Sequence, residues 1–498
     1  MSSKLSPFAE KSLCRVILLV LVLAAAGCAQ VESLPAPVAH GNSFEILSNS
    51  RYSVHSGFAS TLPRQVLSNI LWAMNRVPLL GSYREIYVAT PTNVYLYDST
   101  AHALVVYLAG NHRYNSGSSF EVGIACTRNE EAGYAIQAGL LAGEAFWDSS
   151  GGNVVSCPMQ FATNYANSNW NPTHPIMMVD VFGQATATGL TSVCQAVSSD
   201  SSLPRPQVLG SDTFEVLVSN LLQDSLFDPA NLPIDAVSQL LWAGDGVTPH
   251  MPIGKRGLTI PSAVANYYLT RKVCLVADTA VMRYNNRLPP GTNMATADHR
   301  LELVTSGDRR PQLRAASPGI PSTAPVYIVA CVANTGLNWA VQEAGFAGFQ
   351  YLMQAQALGL QGFLVAPITP PERSAIITAL GLPGTDFPIV VFACGAPSTG
   401  VAGQPQISFP ALSLRIVGSR APIRIEYSMG NAVFGRLTIH DLAGRLVRSF
   451  DLAPQISGRL SLSWDGKDGS GKRLPVGIYA CRLETAEAVS TARIVLAR

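Results

Sequence analysis

A chain of 498 residues has length for about three domains. It is 48% hydrophobic, with 41 Gly and 33 Pro, which excludes a disordered or collagen-like polymer and leaves ample material for buried cores. Only 13% of residues are charged, and 34 Lys and Arg against 32 Asp and Glu leave a formal charge of +2. Without a basic surplus to neutralise a row of phosphates, a dedicated nucleic-acid binder is not expected.

At the N-terminus, Lys4, Lys11 and Arg15 precede the apolar run Val16–Ala26 and then Gly27-Cys28-Ala29. A basic flank, an apolar stretch of signal length and small residues at a cleavage point mark residues 1–28 as an export signal. The run is too short for a permanent membrane span. Ala25-Ala26-Gly27-Cys28 resembles a lipoprotein signal, which implies a lipid on Cys28 and membrane contact through that anchor. Ala25 stands where that family has a larger aliphatic residue, and cleavage after Ala26 or Ala29 is the competing reading. No later stretch reaches about 18 uninterrupted apolar residues, so the mature chain is expected not to span a membrane. Beyond Cys14 and Cys28, seven cysteines (126, 157, 194, 274, 331, 394 and 481) form no CxxC and no zinc spacing. Several sit in apolar, strand-like runs and read as buried thiols; one disulfide in an oxidising compartment is the alternative.

The middle of the chain is duplicated. Ser43-Phe44-Glu45-Ile46-Leu47 returns as Thr213-Phe214-Glu215-Val216-Leu217, an offset of 170. At the same offset Leu67-Ser68-Asn69-Ile70-Leu71-Trp72-Ala73 meets Val237-Ser238-Gln239-Leu240-Leu241-Trp242-Ala243. Glu131-Ala132-Gly133-Tyr134-Ala135 returns as Glu343-Ala344-Gly345-Phe346-Ala347, now at 212, so the second copy carries 42 extra residues between the markers. A period near 170 exceeds a solenoid unit and implies two whole lobes, expected at 43–200 and 210–397. Val66–Met74 has helical spacing, 272–277 and 326–332 read as buried strands, and 343–358 reads as a long apolar helix stopped by Gly359. The expected class is α+β.

In the second lobe, Leu240-Leu241-Trp242-Ala243, Ile260-Pro261-Ser262-Ala263, Glu343-Ala344-Gly345, Ala357-Leu358-Gly359-Leu360 and Leu380-Gly381-Leu382-Pro383 stand in the order of FMN-dependent nitroreductases. The series resembles the thiazoline/oxazoline (SagB-type) dehydrogenase branch in particular. In the first lobe, Arg51-Tyr52-Ser53-Val54 resembles that family's phosphate-binding opening. The resemblance implies a flavin at an interface between two nitroreductase-like lobes, an intrachain pseudo-dimer, with Arg51 and Ser53 on the phosphate and Pro261, Ser262 and Ala263 along the ring. The lobes divide these halves. The first has no Pro-Ser segment between Trp72 and Glu85, and the second has Leu221 and Gln223 where Arg51 and Ser53 stand. One flavin per chain is therefore expected. A glycine-containing step of the family reads Cys157-Pro158-Met159 and Ala366-Pro367-Ile368 here. The export signal lacks a twin arginine, so the chain is expected to cross unfolded and acquire flavin outside.

Residues 398–412 read as a linker, and 413–498 as short strands with Gly-rich turns, a small sandwich. Leu437-Thr438-Ile439-His440-Asp441, Trp464-Asp465-Gly466-Lys467-Asp468 and Gly477-Ile478-Tyr479 resemble FlgD/Vpr Ig-like domains and type IX secretion sorting domains. That resemblance implies an export or surface-attachment role; a lipid anchor and a C-terminal address compete. The acids at 465–468 lack the alternation of a calcium loop and read as a turn, and no metal site is expected. No GxSxG, HExxH or Walker loop occurs, His55 in the Arg51 segment reads equally as a surface residue, and no catalytic acid or base is assigned. The sequence thus points to an exported, monomeric FMN-dependent oxidoreductase in the cell envelope or on the surface, passing electrons between a small-molecule donor and acceptor. A non-enzymatic envelope protein on a degenerate nitroreductase scaffold is the alternative.

Overall fold

The structure, a computed structural model, describes residues 30–497 apart from 52, 55–56, 59–60, 147–152, 186–195, 198–201, 250–256, 264–265, 287–295, 399–412 and short segments of the C-terminal module. Residues 1–28, read from the sequence as an expected export signal with Cys28, lie outside the described residues, as do His55, Cys194 and most of the linker.

The first lobe runs β1 (Val31–Ser33), α1 (Phe44–Ser50), α2 (Arg64–Arg76), β2 (Arg84–Ala89), β3 (Asn93–Asp98), β4 (Ala103–Ala109), β5 (Phe120–Cys126), α3 (Asn129–Glu144), β6 (Asn153–Pro158), α4 (Gln160–Asn169) and β7 (Ile176–Ala185). Its antiparallel sheet has the order β1-β4-β3-β2-β5-β7-β6. After β8 (Ala196–Val197) the second lobe runs α5 (Phe214–Ser219), β9 (Phe227–Asp228), α6 (Ile234–Asp245), β10 (Val247–Thr248), β11 (Gly257–Leu258), β12 (Val273–Val276), β13 (Ala280–Asn285), β14 (Thr296–Ala297) and β15 (Arg300–Ser306). It continues through α7 (Arg310–Ala316), β16 (Val326–Val332), α8 (Asn338–Ala357), β17 (Gln361–Val365), α9 (Pro370–Leu380) and β18 (Phe387–Pro397). Its sheet has the order β15-β13-β12-β16-β18-β17, which repeats β4-β3-β2-β5-β7-β6 of the first lobe; among the described residues, β1 on β4 and β9 on β18 are particular to one lobe each. The duplication in sequence is a duplication in topology. The β10–β11 hairpin belongs to the extra residues of the second copy.

The α8 helix begins at Asn338, five residues before the expected start. It ends as the glycine predicts, with Gly359 at φ 68°. One apolar core spans both lobes, between the sheets, and is filled chiefly by α2, α3, α6 and α8. Separate clusters lie on the outer sheet faces, under α4 in the first lobe and under α7 and α9 in the second.

Two reciprocal contacts fix the relation of the lobes. A Cβ on Gly133 of α3 would fall on the carbonyl of Gln342 of α8, and a Cβ on Gly345 of α8 would fall on the carbonyl of Glu130 of α3. Both pairs are related by the same offset (133→345, 130→342), so the helices cross on an approximate two-fold axis. Ser43 and Thr213, another equivalent pair, bridge antiparallel across the lobes.

Each lobe also carries the same polar pin. In the first, Tyr97 Oη lies 2.8 Å from His102 Nδ1, His102 Nε2 lies 2.7 Å from Ser68 Oγ, and Ser68 Oγ donates to the Pro35 carbonyl. In the second, Tyr284, His299, Ser238 and Pro204 repeat the chain at 2.8, 2.7 and 2.6 Å. With the serine hydroxyl committed to a carbonyl, the histidine donates from Nε2 to the serine oxygen, and its Nδ1 meets the phenol. The pinned segments, Ser33-Leu34-Pro35-Ala36-Pro37 and Ser202-Leu203-Pro204-Arg205-Pro206, are a further repeat ahead of the markers at 43 and 213.

The C-terminal module pairs β19 (Ser413–Val417), β20 (Ile423–Ser428) and β23 (Arg459–Trp464) in one sheet. β21 (Gly435–His440), β22 (Leu446–Leu452), β24 (Gly477–Thr485) and β25 (Val489–Leu496) form the other. Their shared core holds Trp464, Leu437, Ile439, Cys481 and Ile494. It is the expected all-β sandwich. The six described cysteines are free thiols, all buried except the half-buried Cys157.

Gly133→Ala and Gly345→Ala are each expected to cost several kcal/mol, and by similar amounts, because a methyl has no space against a backbone carbonyl; urea unfolding measures both. Burial lowers the pKa of His299 from 6.5 to about 4. A depressed histidine contributes stability that is present above pH 6.5 and is lost as the pH falls through about 4. Thermal unfolding from pH 7 to 4 is expected to show this acid loss, and His299→Gln to flatten it.

Candidate functional site

α1 is short, capped at its start by Ser43, whose Oγ accepts from the Ile46 N–H at 3.3 Å, and it ends at Arg51. The Arg51 backbone there is extended, and its side chain crosses to the second lobe. Arg51 is 5% exposed. Its Nη2 donates to the Leu258 carbonyl at 3.0 Å, Nε to the Thr259 carbonyl at 3.2 Å and Nη1 to Ser53 Oγ at 3.2 Å. Ser53 is itself held by a one-residue parallel bridge to Ser156 of β6.

Leu258 and Thr259 run directly into Ile260 and Pro261, both buried. The Arg51–Ser53 segment of one lobe therefore meets, across the interface, the strand that leads into Pro261, Ser262 and Ala263 of the other. Ser262 Oγ accepts from the Tyr267 N–H at 2.7 Å, which commits the hydroxyl oxygen to a turn; Ala263 is half-buried. The mirror position is built differently. Leu221 is buried, and Gln223 Oε1 accepts from the Leu364 N–H at 2.7 Å. Neither Leu221 nor Gln223 carries a charge.

Three donors converge on the Thr259 carbonyl: Arg51 Nε, Gln137 Nε2 of α3 at 3.1 Å and Gln350 Nε2 of α8 at 3.0 Å. A carbonyl has two lone pairs, so the oxygen is oversubscribed, and the hydrogen bonds of Arg51 use three of its five N–H groups. Two carboxyls neighbour the guanidinium. Glu144, the last residue of α3, accepts from Ser50 Oγ at 2.9 Å, and burial pushes its carboxyl up to about 7 against the pull of Ser50 and Arg51. Asp180 of β7 is fully buried and raised well above its ordinary range by desolvation, with Ser156 and Arg51 opposing. Burial raises the Cys157 thiol to about 12. Arg51 falls to about 10, chiefly by desolvation. The arrangement is a buried cation bonded to neutral oxygens, beside acids biased toward their neutral forms.

Such a site suits an anionic oxygen ligand. A buried charge is costly without a counter-charge, and two guanidinium N–H groups beside a serine hydroxyl match a phosphate ester. Sequence reasoning missed Glu144, Asp180, Gln137, Gln350 and Thr259. A signal existed for two of them: Asp180 interrupts the apolar run from Ile176 to Phe182, and Glu144 closes a helix otherwise dominated by Ala, Gly and Leu. Among the described residues, no group of three or more His, Cys, Asp or Glu side chains is arranged to hold a metal. Among them, too, no helix is long and apolar enough to cross a membrane.

The family model for the FlgD Ig-like domain matches residues 413–488. No curated protein matches the chain. Among solved structures, a nitroreductase-type protein from Anabaena variabilis matches at 11% identity and a TM-score of 0.48, covering 70% of this chain and 93% of its own. One from Ralstonia eutropha matches at 20% identity and a TM-score of 0.33, covering 43% and 97%. A third, from Desulfovibrio desulfuricans and in complex with FMN, matches at 16% identity and a TM-score of 0.26, covering 38% and 91%. The last module is similar to the FlgD Ig-like domain.

Proposed function

We propose that this chain is an exported FMN-dependent oxidoreductase of nitroreductase type, with one flavin site per polypeptide. The observation that carries the reading is the bond from Arg51 Nη2 to the Leu258 carbonyl, 3.0 Å across the lobe interface. It joins the Arg-x-Ser segment of one lobe to the strand entering the Pro-Ser-Ala segment of the other. Arg51 and Ser53 would hold the phosphate, and Pro261, Ser262 and Ala263 would wall the ring. FMN in such a site supplies hydride transfer at N5 between a nicotinamide or organic donor and an acceptor such as a nitro compound, quinone or azoline-like ring. The chain's own work is to bind and orient. Arg51 would neutralise the phosphate, and Gln137 and Gln350 hold the Thr259 carbonyl just after the strand ending at Leu258.

Residues 1–28 and 413–498 serve delivery, the first as the export signal and the second as the contact with export or surface-attachment machinery. The working unit is one chain, because the pseudo-dimer supplies both sides of the interface. A second reading draws on the same bonds: with Arg51 satisfying Leu258 and Thr259, the interface also holds as a flavin-free scaffold.

Flavin absorbance of the full chain purified with FMN separates the two. One FMN per chain is expected; two contradict the composite site, and none at saturating FMN favours the scaffold. Hydrogen bonds to charged groups contribute about 1.5–3 kcal/mol each, so Arg51→Ala should weaken FMN about tenfold to a hundredfold. Leu221→Met, at the mirror position, should leave affinity unchanged.

A further inference from the structure

A cavity of about 410 Å³ lies on the second lobe, between β13, β15 and the turn that follows α9. Arg271, Arg283 and Glu302 line its polar side, and Leu303, Val304, Leu382 and Pro383 its apolar side. Val304 packs against the cluster under α7 and α9, so the cavity lies on the sheet face turned away from the lobe interface.

The same place in the first lobe is filled. Tyr97 pairs with Leu104 in register and Tyr284 with Leu301, which aligns Leu96 with Arg283 and Val105 with Glu302. Both ladders shift register at the equivalent point, leaving Tyr107 and Val304 as the bulged residues. Tyr87, opposite Leu96, aligns in turn with Cys274, opposite Arg283. In the first lobe the rings of Tyr87 and Tyr107 meet edge to face at 5.1 Å. Tyr107 Oη donates to the carbonyl of Asn171, two residues past α4, at 2.6 Å. The second lobe has cysteine and valine in place of the two rings, and Leu382 in place of Asn171. It thus lacks two aromatic volumes and carries charges at two positions that are aliphatic in the first copy.

The ion pairs around the cavity leave one positive charge over. Asp386, 1% exposed, is shared by Lys272 and by Arg283 Nη2, the latter at 2.8 Å. Glu302 takes Arg271 Nη2 at 2.6 Å, and Arg300 lies 3.6 Å from both Glu302 and Asp298. Four cations therefore face three acids. The Arg271 side chain is 42% exposed, which leaves N–H groups for a ligand.

We infer that this cavity binds a small monocarboxylate with an apolar body. The carboxylate takes the fork of Arg271 beside Arg283, matching the surplus of one charge, and the body lies on Val304, Leu382 and Pro383. The inference stands apart from the flavin reading, since Arg51 lies at the lobe interface.

Isothermal titration of the full chain with 3-phenylpropionate tests it. Millimolar or tighter binding is expected. The alcohol 3-phenylpropanol lacks the charge and inorganic phosphate lacks the apolar body, so each should bind at least about tenfold more weakly. Val304→Tyr restores the ring that the first lobe carries and should abolish binding with every charge in place. Arg271→Gln, at an exposed side chain, should weaken the acid about tenfold and leave the alcohol unchanged. If one variant does not fold, the other carries the test. Unchanged acid affinity in either folded variant overturns the inference. So does equal affinity for the acid and either control, or no binding at about 10 mM acid.

Discussion

The close approach of α3 and α8 is the constraint on which the rest of the molecule depends. Two backbones meet where each offers a glycine to the other's carbonyl, at Gly133 against Gln342 and Gly345 against Glu130. Because the contact is its own mirror image, it sets both the distance between the lobes and their two-fold relation. Everything that spans the interface inherits that spacing. Gln342 Nε2 reaches Met177 O of the other lobe at 2.8 Å, Gln354 reaches Glu45 at 2.9 Å, and Arg51 reaches Leu258. Each is a hydrogen bond with a tolerance of a few tenths of an ångström, and a shift of α3 against α8 would break them together.

The interface is consequently polar in its middle and apolar around it. Buried glutamines suit this place: they offer donors and acceptors without a charge to desolvate. Arg51 is a buried cation at the seam, and its neighbours explain how it is tolerated. Carbonyl dipoles take its N–H groups, and the nearby carboxyls supply a negative charge only when they ionise.

Much of this architecture was legible in the chain itself. The ordered markers disclosed the two lobes, since a repeated apolar pattern with matching order has no other economical origin, and alternating strands with Gly-rich turns disclosed the C-terminal sandwich. The pinned segments at Ser33–Pro37 and Ser202–Pro206 escaped notice because five residues with two prolines look like linker until Ser68 and Ser238 are seen bonding to them. Arg51 and Pro261 were readable as a pair only through resemblance. The Thr259 hub was not readable at all: a backbone carbonyl has no sequence signature, and the donors that reach it come from positions 51, 137 and 350. Glu144 and Asp180 are ordinary acids in sequence, and burial alone gives them their altered character.

Covalent duplication explains why the two ends of the interface differ. In a homodimer, any substitution appears at both symmetry-related sites, so a residue needed at one cannot be lost from the other. Joined in one chain, the copies are free to diverge, and physical cost decides the direction. A second buried guanidinium at the mirror position would need its own desolvation and its own counter-charge; Leu221 needs neither and contributes apolar burial instead. Gln223 then spends its carbonyl oxygen on the Leu364 N–H of β17. The stable outcome is one seam with a charge and one without. The symmetry survives in α3 and α8, where packing enforces it, and is lost at Arg51 and Leu221, where retaining it would cost stability and serve only a second copy of the same site.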